Sequence, residues 1–243
     1  MTRRLVLAVL ALLLVGFLAA PQAFAPLLAP LAANNAPAIY TQSSLLGLTL
    51  SHLGLVAAAV SASVAVALGL AILVTRPAGA ELLPLARTIA AVGQTFPPVA
   101  VLALAVPAFG FGSGPTLLAL FLYGLLPIFE NAIAGLAGLP APVRESARGA
   151  GMTPAQMLWQ VELPLALPTI LAGVRVSAII ALSTATIGST VAARTLGEVI
   201  IAGLLSSNTA YVVQGGVVVG VLAVLISNLF REIELRLVPA ATD

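Results

Sequence analysis

The chain has 243 residues, of which 60% are hydrophobic and only 7% charged, with a formal net charge of +2. Soluble domains carry about 25% charged residues, so a chain this apolar over its whole length reads as a polytopic membrane protein. No Cys, one His and ten Arg without a single Lys exclude disulfides, thiolate and two-His metal sites, a Walker A loop with its Lys and a basic nucleic-acid stripe.

In chain order, the first element is the apolar run at residues 5–20, behind Arg3 and Arg4. Its basic start, apolar core and Ala-x-Ala-like end also fit a signal peptide, so it is either retained as span one or cleaved. The charge-free window 5–75 breaks at "PQAFAP" and "NNAPAIYTQSS" and resumes as span two at about 46–74. The small residues of "GLVAAAVSASVAVALGLA" suit close helix packing. The window 88–129 breaks at the Gly- and Pro-rich "PAFGFGSGP", giving spans three and four at about 89–106 and 116–129. Spans five and six follow at about 168–187 and 212–230. The fold class is all-α: a polytopic helix bundle of about six transmembrane helices. Residues 1–41 form an N-terminal segment and outer loop, 42–236 a core, and 237–243 a short tail.

Arg placement orients the spans. With six spans, Arg3, Arg4, Arg76, Arg87, Arg144, Arg148, Arg231 and Arg236 all fall on one side, which is cytoplasmic. Arg194 lies opposite, and Arg175, near the start of span five, snorkels to the interface.

Polar groups inside spans face a cavity or a partner more often than lipid. Gln94 and Thr95 in span three, and Ser183, Thr184, Thr186, Ser189 and Thr190 in span five, are candidates for a translocation path. The ordinary reading of any one hydroxyl is a bond back to its own helix; the span-five group together favours a path. Glu130 and Asn131 read as interfacial, and His52 as an amphipathic anchor at the outer start of span two.

Between spans four and five runs "ESARGAGMTPAQMLWQVELP", residues 145–164. Pro142 suits a first helical turn, Glu145 and Arg148 are spaced to pair, and Gly151 suits a left-handed helix end. Thr153-Pro154 restarts a helix as N-cap and first residue, and Met152, Met157, Leu158 and Trp159 give it an apolar face. Pro164 and Pro168 mark the return into the membrane. Such an amphipathic hairpin docks onto lipid or into a partner's groove.

These residues resemble the cytoplasmic loop of ABC importer permeases: Glu-Ala-Ala, three residues, Gly, nine residues, Ile, one residue, Leu-Pro. Here the pattern is Glu145-Ser146-Ala147, Gly151, Val161 and Leu163-Pro164, with Ser146 for Ala and Val161 for Ile. Over about 42–236 the chain is similar to permeases of osmoprotectant importers. It keeps their Leu196-Gly197-Glu198 but has Ala192, Ala193 and Arg194 where glycines are usual.

The resemblance implies a permease subunit of a type I ABC importer that moves a quaternary amine such as glycine betaine or choline by ATP-driven alternating access. The loop becomes a coupling helix docked on a separate ATPase. Expected partners are ABC ATPase subunits, a second permease subunit (the same or homologous), an extracytoplasmic substrate-binding protein and the bilayer, with no nucleic acid. No cofactor is expected in this chain, ATP and Mg belonging to the ATPase. The chain is expected to be multi-pass in a bacterial-type inner membrane, with coupling loop and C-terminus cytoplasmic. At 5% aromatic, it lacks the rings for a tight cation–π cage, which places tight recognition on the binding protein.

Two other classes stand beside this one. A membrane-embedded enzyme needs convergent acid, base or metal groups, which one His, no Cys and acids at span ends do not supply. A passive channel does not need the loop spacing. An ABC permease for another solute, such as an amino acid, remains open.

Overall fold

A helix in hydrocarbon persists as long as its sequence lets every backbone N–H find a carbonyl. Residues 45–74 carry neither charge nor proline and form α3 (Leu45–Val74), 30 residues, about 45 Å at 1.5 Å per residue. The structure, a computed structural model, describes residues 2–32 and 36–237. The tail beyond Leu237 and part of the second expected break, including Asn34 and Asn35, lie outside the described residues. Among the described residues there are eleven α-helices and no strand.

Four stretches are long and apolar enough to cross a membrane: α3, α6 (Ser113–Ala137), Pro154–Val191 and α11 (Thr209–Leu237). The third comprises α8 (Pro154–Met157), a π-helical turn (Leu158–Glu162), α9 (Leu163–Ala185) and a 3₁₀ turn (Thr186–Val191). Two more candidates are bent. α1 (Thr2–Ala19) turns by 112° into Pro21–Leu31, which includes α2 (Ala25–Leu28), and Pro77–Thr95, with α4 (Leu83–Thr95), meets α5 (Pro98–Phe109) at 98°. The count is six only if each bent pair is one span.

The straight span expected at 89–106 is therefore corrected to two helices at a right angle. Pro97 and Pro98 donate no hydrogen bond, and a residue before proline is driven to extended backbone; Phe96 sits at φ −106°, ψ 144°. The break expected at 107–115 is narrower, with Pro107 inside α5, Gly110 closing that helix at φ +73° and α6 starting at Ser113. Between spans five and six lies a further helix, α10 (Gly197–Leu205), and α7 (Ala141–Gly149) precedes the hairpin turn.

The chain divides into two compact units, most of whose boundaries fall inside helices while that at 96/97 falls between α4 and α5. One comprises Met1–Ala59, Pro97–Leu120 and Ile179–Ser227. Within it His52 is wholly buried: Nε2 lies 3.1 Å from the Leu182 carbonyl, and Nδ1 accepts from the Leu196 N–H at 3.3 Å. A backbone N–H can only donate, so the ring is the neutral Nε2–H tautomer. His52 is thus a cross-link in the interior, not the interfacial anchor expected from its position near a span end.

The other unit comprises Val60–Phe96, Phe121–Ala178 and Asn228–Asp243. Its core joins Phe129, Ile128 and Leu125 of α6 to small residues such as Ala67, Ala90 and Ala166 on α3, α4 and α9. Small residues let backbones approach where lipid gives no hydrophobic drive. At Gly93 α4 comes close to α6: a Cβ there would lie 2.3 Å from the Leu122 carbonyl oxygen. Arg175, expected to snorkel, pairs with Glu234 of α11 at 3.1 Å.

Gly93→Ala should push α4 off α6 and cost about 1–3 kcal/mol as an overpacking change, read as a lowered melting temperature in detergent. Gly69→Ala, where nothing lies within 4 Å, should leave the melting temperature unchanged.

Candidate functional site

The hairpin at 141–164 is built from local backbone rules. α7 starts behind Pro140 and ends in a Schellman motif: Gly151 N–H donates to the Arg148 carbonyl at 2.9 Å and Met152 N–H to the Ala147 carbonyl at 3.2 Å. That motif needs a left-handed residue, and Gly151 has φ +78°. Two residues later Thr153 caps α8 in a reciprocal capping box, its N–H donating to Gln156 Oε1 at 2.9 Å and its Oγ1 accepting from Gln156 N–H at 3.3 Å. Ends fixed from both sides make the turn a defined shape.

The faces of the hairpin differ from the expected ones. Ala147 and Met157 are buried and Leu158 packs on the core, so the apolar face of α8 points mostly inward and Met157 is withdrawn from docking. Met152 is half-buried. Trp159 stands out at 67% exposure, and Glu145 and Ser146 are exposed on α7. The outward face is thus Glu145, Ser146, Arg148 and Trp159. Glu145 and Arg148 form no ion pair with each other among the described residues. Val161, Leu163 and Pro164 lie in the π turn and first turn of α9, which runs on without a break at Pro164 or Pro168.

Beneath the hairpin lies a feature the sequence reading passed over. Glu162, only 2% exposed, is held by Arg76 at 2.6 Å and Arg144 at 3.4 Å. Arg144 also donates to the Leu136 carbonyl at the end of α6. The signal was available: Glu162 is an acid inside "LWQVELPLALP", and Arg76 is the first charge after the long apolar window.

The candidate path residues divide between the two units. In the second, Gln94 Nε2 donates to the Tyr123 carbonyl at 3.0 Å, the acceptor left empty because Pro127, inside α6, has no N–H. Gln94 thus repairs a neighbouring helix, as membrane prolines require, and Thr95 bonds back to the Val92 carbonyl. Arg87 and Glu130 form a bidentate pair at 2.6 and 3.0 Å. Asn131 donates to the Pro127 carbonyl at 2.8 Å.

In the first unit, Thr186 and Thr190 bond back to Ser183 and Ile187 carbonyls. Ser189 bonds the Ala193 carbonyl and, at 2.7 Å, the Thr195 hydroxyl. Ser183 is exposed and Thr184 half-buried. Glu198 accepts from Tyr40 OH at 2.8 Å and from Ser43 Oγ, and the Tyr40 ring meets Tyr211 edge-on at 5.4 Å between centroids. Burial, then the Glu198 hydrogen bond and charge, push the Tyr40 phenol up to about 12, so it stays a donor to Glu198 at physiological pH.

Comparison with known proteins fits this geometry. The family model described as the binding-protein-dependent transport system inner membrane component matches residues 67–240. The choline transport system permease protein OpuBB of Bacillus subtilis (strain 168) is 41% identical over 147 residues, 60% of this chain and 68% of that protein. The osmoprotectant import permease protein OsmY of Salmonella typhimurium is 38% identical over 198 residues, 82% of this chain and 84% of that one. A solved chain of the MetNI methionine ABC transporter, inward-facing, matches with a TM-score of 0.72 at 21% identity, over 80% of this chain and 96% of that chain; at that identity the likeness concerns the fold.

Gly151→Ala should force a Cβ into the left-handed region at about 1–2 kcal/mol. Amide exchange at Met152, which closes the Schellman motif, should then speed up about 5- to 30-fold. Gly149→Ala, on open helical backbone, should not accelerate it.

Proposed function

The chain belongs to the family of binding-protein-dependent transport system inner membrane components, and we propose that, as an ABC importer permease subunit, it passes a quaternary-amine osmoprotectant such as glycine betaine or choline. Support for the solute comes from relatives named for choline and for osmoprotectant import. The observation that carries the mechanism is the hairpin: a turn fixed by a Schellman motif and a capping box, with Glu145 and the Trp159 indole turned outward.

In this mechanism the outward face of the hairpin seats in a groove of a separate ATPase subunit. Trp159 supplies the kind of large apolar anchor that dominates an interface, and Glu145, with Ser146 beside it, supplies polar contacts at its edge. Gly151 holds the bend, Ala147 sets α7 on the core, and Val161, Leu163 and Pro164 join the hairpin to α9. The Arg bias supports a cytoplasmic loop and C-terminus.

Reversing a two-state equilibrium from 1:99 to 99:1 takes about 5.5 kcal/mol. A chain without Lys has no Walker A loop to bind that energy in, so nucleotide and Mg belong to the ATPase. The solute route, shared with a second permease subunit, passes exposed Ser183 and half-buried Thr184. Hydroxyls without an aromatic cage hold a quaternary ammonium weakly, which suits a conduit that must release what an extracytoplasmic binding protein captures tightly.

The ATPase subunit should co-purify with the chain. Glu145→Arg or Gly151→Val should abolish this, and Trp159→Ala should weaken association about 30-fold, as for an interface hot spot of 2 kcal/mol. Retention of the ATPase by all three variants would remove the hairpin from the coupling role. In a calorimetric screen the binding protein should take glycine betaine, choline or carnitine; binding of amino acids alone would overturn the solute and leave the permease assignment standing.

A further inference from the structure

The function proposed so far uses the outward face of the hairpin and leaves the charges beneath it without a role. Arg76 follows the end of α3, Arg144 lies in the first turn of α7, and Glu162 is the last residue of the π turn before α9. One buried carboxylate therefore joins three elements, and Arg144 adds a fourth through the Leu136 carbonyl of α6.

As stabilisation this is a poor arrangement. Buried ion pairs often contribute no more than apolar residues of the same volume, and Arg76 Nε is buried without a hydrogen-bond partner. What a charge clasp offers beyond packing is one fixed register between the parts it joins.

The helix it braces is weak along its own axis. Leu158–Glu162 is a π turn, and Pro164 and Pro168 lack the N–H groups that would reach the carbonyls of residues 160 and 164. A push delivered at the hairpin would bend such a stretch unless a lateral brace shared the load.

We propose that the Arg76–Glu162–Arg144 clasp is the positioning device that carries hairpin movement to α3 as well as to α9. This rests on the hairpin being the coupling element. The three are positioning residues: they touch neither solute nor nucleotide and act by holding the hairpin in register with the α3 end.

The test is solute moved per ATP hydrolysed, by the permease reconstituted in proteoliposomes with its ATPase and binding protein. Arg76→Gln leaves Arg144 on Glu162, so the hairpin keeps its shape. The ATPase should assemble in wild-type amount with basal hydrolysis within twofold, while solute per ATP falls at least tenfold. Arg76→Lys, which keeps the cation, should recover to within threefold of wild type. Should Arg76→Gln fail to assemble, the combined variant Arg76→Met, Arg144→Met, Glu162→Leu, which fills the same space without charge, should assemble and show the same tenfold loss.

A purely structural clasp would lower assembled complex and transport together with solute per ATP unchanged, and that result overturns the proposal. Wild-type solute per ATP in either assembled charge-removed variant overturns it too. Intact ATPase capture by Glu145→Arg, Gly151→Val and Trp159→Ala would instead remove the coupling hairpin, and the clasp's role with it.

Discussion

In hydrocarbon there is no water to accept a stray N–H or to bond a lone carbonyl, and this chain is organised around that demand. It permits helices and forbids open strand edges, and it makes each proline inside the bundle a gap that some other group must close. At Pro97-Pro98 two successive residues lack an N–H, and the backbone turns by 98° between α4 and α5. At Pro127 the gap is closed, because Gln94 of α4 brings its amide to the Tyr123 carbonyl. One residue type therefore accompanies a bend in one place and a continuous helix in another.

The same demand accounts for several polar side chains in an otherwise oily interior. His52 serves a carbonyl with one ring nitrogen and an N–H with the other. Gln214 does likewise, accepting from Tyr40 N–H and donating to the Ala38 and Ala210 carbonyls. Thr186 and Thr190 turn back on their own backbone. A polar residue in a span is thus a path candidate only after its backbone obligations are met, and most of those named from the sequence are already committed. Ser183 and Thr184 are the hydroxyls left facing outward or half-buried.

Charge is handled by a different rule. A buried carboxylate is tolerable when cations surround it, and Glu162 has two. The arrangement ties a surface hairpin, shaped by its own local caps, to the end of α3, far away in sequence, and to the end of neighbouring α6. Local caps determine what the hairpin presents, and the ion clasp determines what it is attached to. The chain belongs to the family of binding-protein-dependent transport system inner membrane components, and the coupling role proposed for the hairpin would give that attachment a purpose.

The sequence by itself determined the all-helical membrane class, the two caps of the hairpin and the loop pattern from Glu145 to Pro164. These follow from composition and from bonds among near neighbours: Gly151 is left-handed because a Schellman motif closes within a few residues, and Thr153 caps because Gln156 is three residues on. The tertiary structure alone decided that Met157 faces inward, that His52 is a cross-link, that Gln94 mends α6 and that Arg76 and Arg144 meet on Glu162. Each depends on which helices pack together. In lipid that choice is made by close approach at small residues such as Gly93 and by polar groups finding partners across helices, and neither leaves a periodic signal along the chain.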